Sequence, residues 1–327
     1  MGLDAAALAR EYAALVESCG VLDRSERGKL ALSGAGALEF LNGQVTNELL
    51  TLRPGEGCYA AFLTHKGKML GDLRILAVGD DPDAPPSELL LDTERVALQG
   101  LFDMIRRFKV GYDVELHKRT LERGLLSLIG PTAAAIAGAE HLADDEHANA
   151  RVQIDGIEAF AMRTDVGIDL LCDASDTQAL GAALSARGAT PVSEPTAECL
   201  RVERGRPRYG VDLDDSVIPQ EAGLNERAVS FTKGCYVGQE TVARLFYKGK
   251  PNRHLRGLRL SAPASAGDQL QLGERAVGHV ASVVLSPVLG PIALALIRRE
   301  AEPGSVVSVG EHGVQAEVLE LPFAARR

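Results

Sequence analysis

Apolar positions in the first three quarters of the chain recur at helical and at strand spacing in turn. Over residues 4–18, Leu8, Tyr12, Leu15 and Val16 share one face, which predicts an amphipathic helix. A strand is expected around residues 30–32, with Ser33 capping a short helix that runs through Leu41. Residues 59–63 and 72–78 read as strands joined by the Lys66-Gly67-Lys68 turn, and the Asp- and Pro-rich stretch 79–87 as a loop. Residues 88–91 follow as a strand, then 94–107 as a helix with Val96, Leu101 and Ile105 turned inward. Strands are expected at 125–129, 151–162 and 168–172, a short Ala-rich helix after Gly130-Pro131, and helices at 177–187 and 196–203.

From Arg256 the pattern changes to short strands at close intervals, at 256–260, 269–272, 277–285, 292–297, 306–309 and 315–319. Gly, Pro and charged turns separate them, the spacing of a small all-β barrel or sandwich. The boundary is placed at Lys250-Pro251, giving an α+β region over 1–250 and a β-domain over 251–327. Gly34-Ala35-Gly36 follows a strand but is not the spacing of a dinucleotide fingerprint.

Composition narrows the function. A net charge of −10 argues against a broad nucleic-acid footprint, so no direct nucleic-acid partner is expected. The local exception is the cluster Lys248, Lys250, Arg253, Arg256 and Arg259 around His254, which suits a small anion or a solvated face. The 5 cysteines are scattered without a C-x-x-C pair, so neither a zinc site nor a preformed cluster motif is expected. The N-terminus lacks a signal peptide's apolar core, and no apolar run reaches membrane-spanning length. These features point to a reducing, cytoplasmic setting with no membrane partner.

One segment carries reactive chemistry. Lys233-Gly234-Cys235-Tyr236-Val237-Gly238-Gln239-Glu240 sets a thiol between two glycines, two residues after a lysine. Residues 228–231 before it read as a short strand, and residues 239–246 as a helix with Glu240 and Arg244 at i, i+4. Free N–H groups at the helix start favour a thiolate at Cys235, and Lys233 pushes the same way. The same turn also accommodates Cys235 as a small buried hydrophobe.

The octapeptide, with residues 241–244 behind it, resembles the signature of the YgfZ family, folate-binding proteins related to the aminomethyltransferase (T-protein, GcvT) of the glycine cleavage system. Phe40-Leu41-Asn42-Gly43-Gln44-Val45-Thr46-Asn47 is similar to that family's F-L-x-G-Q-x-T-N segment. Leu63-Thr64-His65-Lys66-Gly67-Lys68 with Gly71-Asp72-Leu73 is similar to its next strand-turn-strand. Arg201 to Pro207, Ile218 to Leu224, Val277-Gly278-His279-Val280 and Leu321-Pro322-Phe323 continue the likeness in order. The resemblance implies a three-lobed ring, two α+β lobes plus a C-terminal antiparallel β-barrel, with a folate-sized channel in the middle and a single chain sufficing as a monomer.

It also implies site residues. Glu203 matches the glutamate that grips the pterin in the related transferases, although a surface carboxylate paired with Arg201 or Arg206 is the plainer reading. Gln220 and Glu221 form a second polar pair, and Asn42, Gln44, Thr46 and Asn47 a third polar run. Tyr59, Phe62, Tyr209 and Tyr236 are candidates to stack on the pterin or to pack in the core. Lys233 has a competing role as a contact for the anionic folate tail; Gln239 and Arg244 lie in the signature itself. The transferases carry adjacent aspartates where this chain has Asp72 alone, which weakens a carbon-transfer reading.

The expectation is a cytoplasmic tetrahydrofolate-binding accessory protein for assembly or repair of iron–sulfur clusters. Cys235 would be its working thiol, and its partners iron–sulfur proteins or assembly factors, radical-SAM tRNA modification enzymes among the clients. The alternatives are a folate-dependent aminomethyltransferase or demethylase acting through Asp72, and a thiol redox factor that uses Cys235 without folate.

Overall fold

The computed structural model describes residues 5–311 and 313–323. It forms an antiparallel sheet and a second, mostly antiparallel one with flanking helices, and a closed six-stranded barrel. The first sheet runs in the order Gly57–Leu63, Met69–Val78, Glu88–Thr93, Gly28–Ser33, Glu115–Lys118, every pair antiparallel. Alternation along these strands sorts their side chains. Ala60, Phe62, Leu73, Ile75, Leu89 and Leu91 turn to one face, where Leu101 and Ile105 of helix Leu98–Phe108 and Phe40 and Leu41 of helix Ala37–Asn42 bury them. The opposite face carries a charged row across four strands, in which Tyr59 pairs with Arg74, Arg74 with Asp92 and Asp92 with Lys29.

The second sheet covers that face. Its order is Thr190–Pro191, Gly20–Asp23, Arg123–Ile129, Gly167–Asp173, Ile157–Thr164, Asn149–Ile154, with a single parallel pair at the Thr190–Pro191 edge. Leu76 of the first sheet packs against Leu125 and Met162 of the second. The chain thus enters through the second lobe, since helix Ala5–Glu17 and strand Gly20–Asp23 belong there, before Gly28–Ser33 joins the first. Helix Glu194–Glu203 then leads to the barrel, whose order is Arg253–Leu260, Gly290–Arg298, Arg275–Ser286, Gln269–Leu272, Val306–Val309, Val314–Leu319. Leu258, Val280, Ala293, Ala295, Val307 and Val318 fill it. All six barrel strands are those expected from the spacing of the sequence, and the α+β lobes match the expected class.

Several local expectations give way. The first helix is described from Ala5; Asp4 lies outside the described residues. Ser33 ends a strand and bonds His117, while Gly36 precedes the helix as its cap residue without a side-chain bond. Val96 is 65% exposed because the helix begins only at Leu98, leaving Val96 in the turn before it. Residues 228–231 are not a strand: helix Asn225–Ala228 occupies the start, and Ser230 N–H donates to Thr46 O at 3.0 Å. Strands Gly20–Asp23 and Glu115–Lys118 are short and lie between stronger signals, so periodicity passed over them.

Candidate functional site

Where the second sheet and helix Glu194–Glu203 stand off the charged face of the first sheet, they enclose a cleft with about 1000 Å³ of empty volume, its mouth included. Tyr59, Asp72 and Arg74 form its floor. Ile129, Thr164 and Asp169 come from the second sheet, Leu200 and Arg201 from the helix, and Glu146, His147, Tyr209 and Arg227 from loops and a short helix.

The floor is a network of buried charges. Arg27 reaches Asp92 with Nε at 2.9 Å and Nη2 at 2.8 Å, and also bonds Glu94. Arg74 joins Asp92 (2.7 Å) to Asp169 of the second sheet (2.5 Å), so an ion pair locks the two lobes together. Burial opposes the charge on Asp92, but the two guanidiniums overcome it and hold its carboxyl well below the usual range.

Asp72 differs. It accepts a 2.6 Å hydrogen bond from the Tyr59 hydroxyl but is ion-paired with no arginine among the described residues. Burial pushes its pKa up to about 6; the Tyr59 bond opposes the rise, Glu94 adds to it, and Arg27 and Arg227 act against it. Arg227 lies over the Tyr59 ring, 4.4 Å from its centroid, and is held there by Glu146. Around the mouth, Arg24, Arg206 and Arg208 each have a carboxylate partner. Arg204 donates to Asp165 O at 3.1 Å but has no carboxylate partner among the described residues.

Of the candidate site residues singled out from sequence, Tyr59, Asp72 and Tyr209 line this cleft. Asn47 supports it from behind, its amide donating to Tyr59 O (2.9 Å) and Arg227 O (3.3 Å). Glu203 lies outside the lining. Its carboxylate accepts from Tyr12 (2.6 Å) and Ser286, pinning the N-terminal helix and the barrel to the end of helix Glu194–Glu203. Glu221 is buried and paired with Arg253 (3.0 Å), which fastens the linker to the first barrel strand. Gln220 points a buried, unpartnered Oε1 elsewhere. Tyr236 is packed in the cluster that holds Ala61, Leu63 and Val242, and burial pushes its pKa up to about 12.

The thiol turn forms a second locus outside the cleft lining. Cys235 is exposed, unlike the other four cysteines. Lys233 does not serve as its cation: the ammonium is buried and donates to the carbonyls of Asn42 (2.7 Å), Val45 (3.0 Å) and Asn47 (2.5 Å). Burial pushes its pKa down to about 8, and the thiol it interacts with electrostatically is Cys58. Gly238 has φ +85°, and a Cβ there would stand 2.6 Å from Thr64 O and 3.2 Å from Gly67 Cα. Two of the motif segments therefore meet glycine to glycine, and Lys233 clasps the third. Gln239 opens helix Gln239–Lys248 and donates to Gly234 O at 3.4 Å. Glu240 and Arg244 do not close the expected ion pair, and Arg244 is exposed.

Arg27, Arg74, Asp92, Glu146, His147, Asp169 and Arg227 were not foreseen. A signal existed for three of them: Arg74, Asp92 and Asp169 are charges set among apolar residues inside strands, which hold only one other charge each, Asp72, Glu88 and Asp173.

Comparison with known proteins agrees with this architecture. Residues 4–233 match the GCVT N-terminal domain, and residues 253–324 the glycine cleavage T-protein C-terminal barrel domain. The chain is 30% identical over 348 residues to an aminomethyltransferase of Geobacillus kaustophilus, covering 100% of this chain and 93% of that protein. It is 29% identical over 341 residues to an aminomethyltransferase of Corynebacterium aurimucosum, covering 97% and 90%. The crystal structure of the glycine cleavage system aminomethyltransferase T from Bartonella henselae superposes with a TM-score of 0.84 at 24% identity, covering 98% of this chain and 90% of that one, and shows the same fold. The chain therefore belongs to the GCVT family, with the N-terminal domain and the barrel domain of the glycine cleavage T-protein present in order.

Proposed function

We propose that the chain binds a reduced folate in the inter-lobe cleft and carries out folate-dependent one-carbon transfer there, of the aminomethyltransferase class. The observation that carries this reading is Asp72, a carboxyl with a pKa of about 6 that faces the cleft and is fixed by Tyr59. Full-length similarity to proteins named aminomethyltransferase supports it. The residues present fit a folate. The cleft opens at its mouth and is lined by both apolar and polar side chains. Its floor offers a carboxyl and a phenol to a flat heteroaromatic ring, and Arg204 leaves one cation at the mouth for an anionic tail.

A bound tetrahydrofolate supplies the secondary amine that accepts the carbon. Asp72 would be the residue placed to take the proton that such an amine gives up as the carbon exchanges its bond to the donor for one to the folate, and to return it to the departing group. At pH 7 a carboxyl with a pKa near 6 is mostly ionised, and its burial makes the basic form more reactive than an exposed aspartate. Tyr59 orients the carboxylate by occupying Oδ2. Arg27, Arg74, Asp92 and Asp169 neutralise one another and keep the floor rigid.

A second reading keeps the folate and adds the iron–sulfur accessory role implied by the resemblance to YgfZ-type proteins. Cys235 favours it, as the exposed thiol in a turn held by Gly238 and Lys233. One experiment separates the two: tetrahydrofolate binding and folate-dependent carbon transfer measured on wild type, Asp72→Asn and Cys235→Ala. Transfer lost in Asp72→Asn and retained in Cys235→Ala supports the transferase. Folate binding without transfer in any of the three, with Cys235→Ala unable to restore iron–sulfur enzyme activity in a null strain, overturns it in favour of the accessory role.

A further inference from the structure

Lys233 buries a charge without an ion pair. Only 7% of the residue is exposed, and no carboxylate pairs with its ammonium among the described residues. Its three N–H groups go instead to three carbonyls of one segment, those of Asn42, Val45 and Asn47, at 2.7, 3.0 and 2.5 Å. Glu48 and Cys58 interact with it electrostatically, and the Tyr236 ring centroid lies 5.4 Å from Nζ. A buried ammonium is tolerated only where its protons are bonded, so this clasp fixes segment 42–47 against the thiol turn.

The far side of the same segment reaches the cleft. The Asn47 side-chain amide donates to Tyr59 O at 2.9 Å and to Arg227 O at 3.3 Å. Thr46 makes a parallel tie: its hydroxyl donates to Ala228 O at 2.6 Å and accepts from the Ala61 N–H at 2.9 Å. Tyr59 and Ala61 belong to strand Gly57–Leu63, and Arg227 and Ala228 to helix Asn225–Ala228. Residues 46 and 47 are thus a wedge between that strand and that helix. What the wedge spaces is a pair that faces the cleft. The Arg227 guanidinium lies 4.4 Å from the Tyr59 ring centroid, and the Tyr59 hydroxyl bonds Asp72 at 2.6 Å. A line of bonded residues therefore runs from Lys233 through Asn47 and Tyr59 to Asp72, although Lys233 itself stands outside the cleft lining.

We propose that Lys233 is a positioning residue for the cleft: acting through Asn47, it sets the spacing of Tyr59 and Arg227, and with it the orientation of the Asp72 carboxylate. The proposal rests on the one-carbon transfer reading of the cleft. It gives that transfer a second titrating control besides Asp72. Burial pushes the Lys233 pKa down to about 8, with Glu48 opposing the fall. The other groups against the ammonium, Cys58 and Tyr236, are themselves pushed by burial up to about 12 and stay neutral in that range. Once Lys233 loses its proton, a neutral amine has two N–H groups for three carbonyls, and one bond of the clasp is lost.

The test follows transfer of an aminomethyl carbon to tetrahydrofolate, at saturating tetrahydrofolate and as a function of pH. It compares wild type, Lys233→Met, Asn47→Ala and the double variant. The expected result is a kcat about tenfold lower in each single variant, as for a slightly misplaced reacting geometry, and no lower in the double variant, because both changes break one line. Wild type shows an alkaline limb near pH 8 that both single variants lack. No such limb in wild type, a limb that persists in Lys233→Met, or losses that multiply in the double variant overturn the proposal and leave the transfer reading intact. No transfer by wild type overturns both. If Lys233→Met does not fold, wild type and Asn47→Ala decide: a limb near pH 8 in the first alone supports the positioning role, and the same profile in both overturns it.

Discussion

Tyr59 bonds Asp72 diagonally across two strands: its direct partner in the ladder is Arg74, while Asp72 pairs with Ala61. The contact exists because strand alternation sends all four residues to one face, and because Ala61 is too small to fill the space beside the tyrosine. The second sheet then shuts this face away from water. One face of the sheet thereby splits into two chemistries. Asp92 is gripped by two arginines and stays ionised, while Asp72, two pleats along, has a phenol in place of an ion pair and titrates near 6.

That difference has a stability signature. Asp72 goes from a pKa of 3.8 to about 6 on folding, so between those values the unfolded chain holds fewer protons than the native one and stability falls as pH rises. Above about 6 the full penalty stands, roughly 3 kcal/mol at 1.36 kcal/mol per pKa unit. Asp72→Asn keeps an acceptor for Tyr59 and carries no charge. Urea unfolding is expected to show it more stable than wild type at pH 8, with the advantage shrinking toward pH 4. An advantage that does not depend on pH would contradict the assignment.

Arg204 has no carboxylate partner in the cleft wall, so removing it breaks no ion pair. Arg204→Ala is expected to weaken tetrahydrofolate binding about two- to fivefold, as for a partly exposed charge contact. It should leave binding of a pterin that lacks the glutamate tail unchanged. Competition titrations with both ligands check this, and equal losses for both would place the tail elsewhere.

The thiol turn depends on Gly238 and not on Gly234. Gly238→Ala would drive a Cβ to 2.6 Å from Thr64 O at φ +85°, whereas a Cβ at Gly234 meets nothing within 4 Å. Gly238→Ala is expected to lose more than about 2 kcal/mol in urea unfolding and to change the rate at which Cys235 is alkylated; Gly234→Ala should stay within about 0.5 kcal/mol of wild type. Similar losses for both would mean that the turn is not held by the packing of Gly238 on Gly67.

Much of the frame was legible from sequence because it rests on local periodicity: the barrel strands, the Gly79–Ser87 loop and the inward Leu101 and Ile105 all follow from spacing. What was not legible rests on partners far apart in the chain. Arg74 meets Asp169 95 positions on, and Arg227 meets Glu146 81 positions back. No window of sequence contains both members of either pair. Lys233 illustrates the opposite error. Next to a cysteine in sequence it reads as that cysteine's cation, yet a long flexible side chain reached three carbonyls of the 42–47 loop instead. Glu203 likewise bonds Tyr12 and Ser286, from the two ends of the chain, in place of a ligand.

The most direct test of the central claim is the pH dependence of folate-dependent one-carbon transfer in wild type and Tyr59→Phe. The hydrogen bond from Tyr59 lowers the Asp72 pKa, so deleting the hydroxyl must raise it above about 6. The account predicts an acidic limb near pH 6 in wild type that moves to higher pH in Tyr59→Phe, with Asp72→Asn losing about 100-fold or more in rate at every pH. An acidic limb at the same pH in both proteins, or transfer that survives Asp72→Asn, would contradict it.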